Sequence, residues 1–126
     1  MSQRSCLRFA FSACASLATI ALVHAADSDA AKGQKVFTAC APCHAADQPA
    51  RTGPDLRGVT GRNAGTLPGF RYSRAMKNSK AIWNDQTLDA YLADPQSAMP
   101  GNTMPYPGLP DEAARRDLIA YLKTLQ

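Results

Sequence analysis

Cys40-Ala41-Pro42-Cys43-His44 is the stretch on which the reading of this chain turns. Two thiols separated by two residues, followed at once by an imidazole, form the attachment signature of a c-type haem. Each thiol can add to one haem vinyl group, the spacing matches the two vinyls, and the adjacent histidine then lies beneath the iron as an axial ligand. Two other chemistries compete. A Cys40–Cys43 redox disulfide belongs to a βαβ context, and no segment here alternates well enough to be a strand. A zinc site needs about four ligands, more than the two cysteines and one histidine of this region offer.

The N-terminus decides which other ligands remain. Arg4 and Arg8 form a positive start, 9–23 is apolar and uncharged, Val23-His24-Ala25 offers a small-residue cleavage site, and the chain turns polar at Asp27. Residues 1–25 are therefore expected to be a secretion signal and 26–126 the working domain. An uncleaved anchor competes, although the apolar run is short for a membrane span. Phe11-Ser12-Ala13-Cys14 only faintly resembles a lipoprotein site, because the apolar run continues past it. Removal of the signal takes Cys6, Cys14 and His24 with it. The mature chain keeps Cys40, Cys43 and His44, with Met76, Met99 and Met104. Secretion points to an oxidising compartment, here a periplasm.

The 126 residues suffice for one domain. The net charge of +4 falls to +2 without Arg4 and Arg8, and no run of like charge marks a nucleic-acid or membrane surface. Ser28 or Asp29 can cap a helix over 29–39. Residues 40–69 are broken by prolines and glycines and read as loop. A short helix fits 73–78. Another is capped by Asn84 or Asp85, runs through Leu88, Tyr91 and Leu92, and ends at Pro95. Residues 98–110 are loop again. The last helix begins near Pro110, with Ala114, Leu118, Tyr121, Leu122 and Leu125 at helical spacing. The fold class is all-α, with three to five short helices and long loops. Loops this long are uncommon in a compact domain unless something organises them, and a large apolar cofactor would do so.

If His44 is one axial ligand, the other iron position falls to a methionine, another group or nothing. Methionines usually fill cores. Met104, however, lies in Pro100-Gly101-Asn102-Thr103-Met104-Pro105, a stiff polar loop suited to presenting a thioether. Methionine and histidine together raise the potential of a haem iron.

At this level of detail the sequence resembles the class I cytochromes c, the mitochondrial type and its bacterial periplasmic relatives. Gly53-Pro54-Asp55-Leu56, Gly61-Arg62, Pro68-Gly69-Phe70-x-Tyr72, Trp83, Tyr91-Leu92, Pro100-Gly101, Met104 and Asp117-Leu118-Ile119-Ala120-Tyr121-Leu122 follow in family order over nearly all of 30–126. The resemblance implies the small cytochrome c fold around one haem c, covalent through Cys40 and Cys43, with iron held by His44 and Met104. It implies that the Pro54 carbonyl accepts the His44 ring N–H, and that Arg62, Tyr72 and Trp83 hydrogen-bond the propionates. It also implies that Tyr91 sits near the Met104 sulfur, and that Gly33 and Phe37 pack against Leu118 and Tyr121.

Several positions depart from the mitochondrial pattern: Met76 for an asparagine, Asn102 for a threonine, Tyr106 for a phenylalanine, and a slightly short loop between His44 and Gly53. The lysines that ring the haem edge in that group are replaced by Ala39, Gln96, Thr103, Pro110 and Asp111. Electrostatic docking should accordingly be weak. The expected function is a soluble, monomeric periplasmic electron carrier of a respiratory chain. It is not an enzyme, and it would exchange electrons with redox proteins such as a membrane oxidoreductase, an oxidase or a periplasmic dehydrogenase. Nucleic acid and, once the signal is removed, membrane insertion are not expected. A haem c subunit bound to a dehydrogenase, and an enzyme or sensor with an open iron site, are the alternatives.

Overall fold

The computed structural model describes residues 27–44 and 52–126. The expected signal and the loop just after His44 lie outside the described residues.

Local chemistry starts each helix. Asp29 is extended, and its carboxylate accepts the Ala31 and Lys32 N–H groups at 2.9 and 3.2 Å, which starts α1 (Ala30–Phe37). Asp111 does the same for Ala113 and Ala114 at the start of α6 (Glu112–Leu122). These terminal helices cross at Gly33. A Cβ there would overlap the Asp117 carbonyl, so only glycine lets the two backbones meet. The Asp29 N–H reaches Asp117 Oδ1 at 2.7 Å, and the Phe37 and Tyr121 rings lie 5.2 Å apart beside the crossing. The helices therefore meet as expected at Tyr121, but it is Asp117 rather than Leu118 that lies against Gly33.

Between them lie α2 (Ala41–His44), α3 (Arg74–Asn78), α4 (Asp85–Ala93) and α5 (Pro95–Ala98). Asn84 and Thr87 form a reciprocal capping box on α4. Buried Arg115 ties α6 to α4: its Nε donates to Asp89 Oδ1 at 2.7 Å, and its Nη1 donates to the Leu109 and Pro110 carbonyls. Leu118, Ile119 and Leu122 from α6 meet Leu88 and Tyr91 from α4 in the core, with Trp83 and Met99.

Among the described residues six helices stand where three to five were expected, because α2 is a single turn in a segment read as loop and α5 a single turn just past the expected end of α4. Pro95 does end α4, but it also occupies the first position of α5, where a missing N–H costs nothing. No strand occurs among the described residues. A short backbone ladder nevertheless organises the long middle loop: Gly61 N–H to the Trp83 carbonyl (2.7 Å), Trp83 N–H to that of Arg62 (2.9 Å), and Ala64 N–H to that of Ala81 (2.9 Å).

Candidate functional site

The chain leaves α1 through a tight turn in which Cys40 N–H donates to the Phe37 carbonyl at 2.8 Å. The Cys40 carbonyl then accepts from both Cys43 (3.1 Å) and His44 (3.0 Å), so one turn of helix presents both sulfurs and the imidazole. The two cysteines are half-buried free thiols. Burial, and then the neighbouring Cys43, push the Cys40 thiol above its ordinary pKa. Among the described residues no group of three or more His, Cys, Asp or Glu side chains is placed to hold a metal ion.

His44 is half-buried, with Nδ1 2.8 Å from the Pro54 carbonyl oxygen. A carbonyl only accepts, so Nδ1 carries the proton and Nε2 keeps its lone pair. Burial holds the imidazole below its ordinary pKa, and the bond to Pro54 opposes this. Burial thus favours the neutral ring, the form a metal ligand must take. Gly53 makes the approach possible. Its N–H donates to the Cys43 carbonyl at 3.0 Å, and a Cβ would lie 2.6 Å from His44 Cε1.

Met104 is half-buried against the core. Its N–H donates to Asn102 Oδ1 at 2.9 Å, and the Tyr91 hydroxyl donates to the same oxygen at 3.3 Å. Tyr91 therefore reaches the Met104 segment through Asn102. Its phenol is pushed up to about 12 by burial. Trp83 is buried, its ring 5.0 Å from that of Tyr91.

Arg62 and Tyr72 form a neighbouring group. The Arg62 guanidinium donates to the Arg57 carbonyl (3.1 Å) and the Asp55 carbonyl (3.0 Å), holding the loop that follows Pro54. Burial raises the Tyr72 phenol, while the Arg62 charge and the Leu67 backbone N–H pull it down. The backbone ladder sets Arg62 beside Trp83. The structure thus joins Pro54 to His44, Arg62 to Tyr72 and Trp83, and Trp83 through Tyr91 and Asn102 to Met104. Asn102 was missed as an organiser. Its signal in the sequence was a polar side chain two residues before Met104, a spacing that permits a side-chain turn onto that N–H. Ala39, Gln96, Thr103, Pro110 and Asp111 are all exposed.

Comparison with known proteins shows the family and the fold. The family model described as Cytochrome c matches residues 30–126. Cytochrome c2 of Rhodoblastus acidophilus is 48% identical over 100 residues, covering 78% of this chain and 92% of that protein. Cytochrome c of Sesamum indicum is 47% identical over 98 residues, covering 75% and 88%. The solved structure of cytochrome cH from Methylobacterium extorquens superposes with a TM-score of 0.73 at 42% identity, covering 77% of this chain and 99% of that one. With a family match spanning most of its length and a helical fold like that of cH, the chain belongs to the cytochrome c family.

Proposed function

We propose that this protein is a soluble periplasmic carrier that holds one electron on a single haem c. Haem iron, when bound, supplies the Fe(III)/Fe(II) couple. The donor set fits that group on its own chemistry: two free thiols and an imidazole tethered at Nδ1 on one helical turn, with a thioether on the loop between α5 and α6. Cys40 and Cys43 would hold the porphyrin covalently, and His44 Nε2 and Met104 would hold the iron. Soft sulfur favours Fe(II) and so raises the potential. Pro54 fixes the imidazole tautomer and orientation. Arg62 gives two of its five N–H groups to backbone carbonyls and keeps others for the propionates, together with Tyr72 and Trp83.

The observation that carries this reading is the His44 ring, tethered at Nδ1 so that Nε2 alone remains to bind. Iron held by both His44 and Met104 would have no coordination site left for a substrate, which favours a carrier over an enzyme. The partners are redox proteins: a membrane oxidoreductase, an oxidase or a periplasmic dehydrogenase. Residues 1–25 direct export, and the mature protein acts as a monomer.

The test is an absorption spectrum of the secreted protein, oxidised and reduced, for wild type and Met104→Ala. The reading expects the weak far-red band of a thioether–Fe(III) bond in wild type and its loss in the variant. A wild-type haem spectrum without that band, together with ready CO binding, would put the open-site enzyme or sensor ahead.

A further inference from the structure

Asn102 is 6% exposed, and only it and Arg115 are buried polar or charged residues among those described. Burying an amide is costly unless its hydrogen-bonding capacity is used. Here all of it is. Oδ1 accepts the Met104 N–H at 2.9 Å and the Tyr91 hydroxyl at 3.3 Å. Nδ2 donates to the Pro95 carbonyl at 2.7 Å and the Met99 carbonyl at 3.0 Å. Two donors and two lone pairs complete the inventory of the group. One side chain thus joins α4, α5 and the segment that bears Met104.

We infer that Asn102 is the positioning residue for Met104: its side-chain oxygen fixes the backbone N–H of that methionine, and its amide hydrogens anchor that oxygen to α5. The inference rests on Met104 being an iron ligand. Other ties to this loop are few among the described residues: Gly101 sits at φ +84°, Asn102 N–H donates to the Met99 carbonyl, Tyr106 N–H donates to that of Met104, and Gln96 Nε2 donates to the Asn102 carbonyl at 3.3 Å. The Asn102 oxygen makes a turn that a serine or threonine hydroxyl reproduces more weakly and that alanine cannot make.

The experiment compares secreted holoprotein of wild type, Asn102→Ala and Asn102→Thr. Asn102→Ala should lose most of the far-red band and bind CO in the reduced state roughly tenfold more tightly, the effect of leaving one buried donor unpaired. Asn102→Thr should restore both towards wild type. A merely structural role would lower the melting temperature of Asn102→Ala and leave band and CO affinity unchanged, and that result overturns the inference. A band absent from wild type as well would instead sink the ligand assignment beneath it. Wild-type hydrogen exchange needs no variant and decides the case if Asn102→Ala does not accumulate. The Met104 amide should exchange at least about tenfold more slowly than that of exposed Thr103, and equal rates would overturn the inference.

Discussion

The Nδ1 of His44 lies 2.8 Å from the carbonyl oxygen of Pro54, and Gly53 between them in space has no room for a side chain. A Cβ on Gly53 would stand 2.6 Å from His44 Cε1 and 3.0 Å from the Cys43 carbonyl. Gly53→Ala must therefore tilt the imidazole or move the Pro54 loop. Overpacking of this kind costs about 1–3 kcal/mol. The variant should melt lower, and the midpoint of its redox titration should shift, because the imidazole loses its fixed orientation. Wild-type values for both would show that the contact relaxes freely and that Gly53 is no constraint on the ring.

Gly33→Ala tests the crossing of α1 and α6. The new methyl would meet the Asp117 carbonyl, a backbone atom that yields only if the helices part. The expected loss is about 3 kcal/mol or more, and each kcal/mol lowers the melting temperature of a domain this size by about 4–8 °C. Gly58→Ala is the control: φ is +63° there, but nothing lies within 4 Å of a Cβ. Strain alone should cost it about 1–2 kcal/mol. Equal melting points for the two variants would remove close approach as the reason for Gly33.

Much of this scaffold is visible in the chain itself, because its signals are local. Asp29 and Asn84 cap α1 and α4 as their short polar side chains before an apolar period suggest, while Ser73 and Asp111 cap α3 and α6 at positions expected to lie within the helices. Single turns leave no period to read, so α2 and α5 go unseen, and Asp94 capping α5 through Gln96 and Ser97 goes unseen with them. The Cys-x-x-Cys-His spacing carries its own chemistry. The pairing of Tyr91 with Asn102 spans eleven residues through the core, and no local pattern announces it. Arg62 was expected near propionates, yet its hold on the Asp55 and Arg57 carbonyls depends on a loop path that spacing alone does not specify.

Salt should have little effect on electron exchange with the physiological partner. At the positions where the resemblance places the lysines of the mitochondrial type, this chain exposes Ala39, Gln96, Thr103 and Pro110, and adds the negative Asp111. Little charge is left there to steer a partner. Between about 0.01 M and about 0.1 M salt, where the screening length falls from about 30 to about 10 Å, the bimolecular rate should change by less than about threefold. Stopped-flow rates across that range decide the matter. A steep fall would mean that charged docking occurs after all, through another face of the molecule.

Alkaline pH should destabilise the protein through Tyr91. Burial pushes its phenol from the ordinary value of 10.0 up to about 12, so the folded state keeps the proton that the unfolded state releases. The resulting stability is fully present below about pH 10, declines as pH rises and is gone above about 12. The full difference corresponds to at most about 3 kcal/mol. Tyr91→Phe cannot ionise and should lack this part of the decline, although it also gives up the hydrogen bond to Asn102. Burial raises the Tyr72 and Tyr106 phenols too, and both remain in the variant, so the difference between the two curves isolates Tyr91. Guanidinium unfolding at intervals from pH 8 to 12 supplies the curves. Parallel alkaline limbs would mean that the Tyr91 phenol ionises as readily in the folded chain as in the unfolded one.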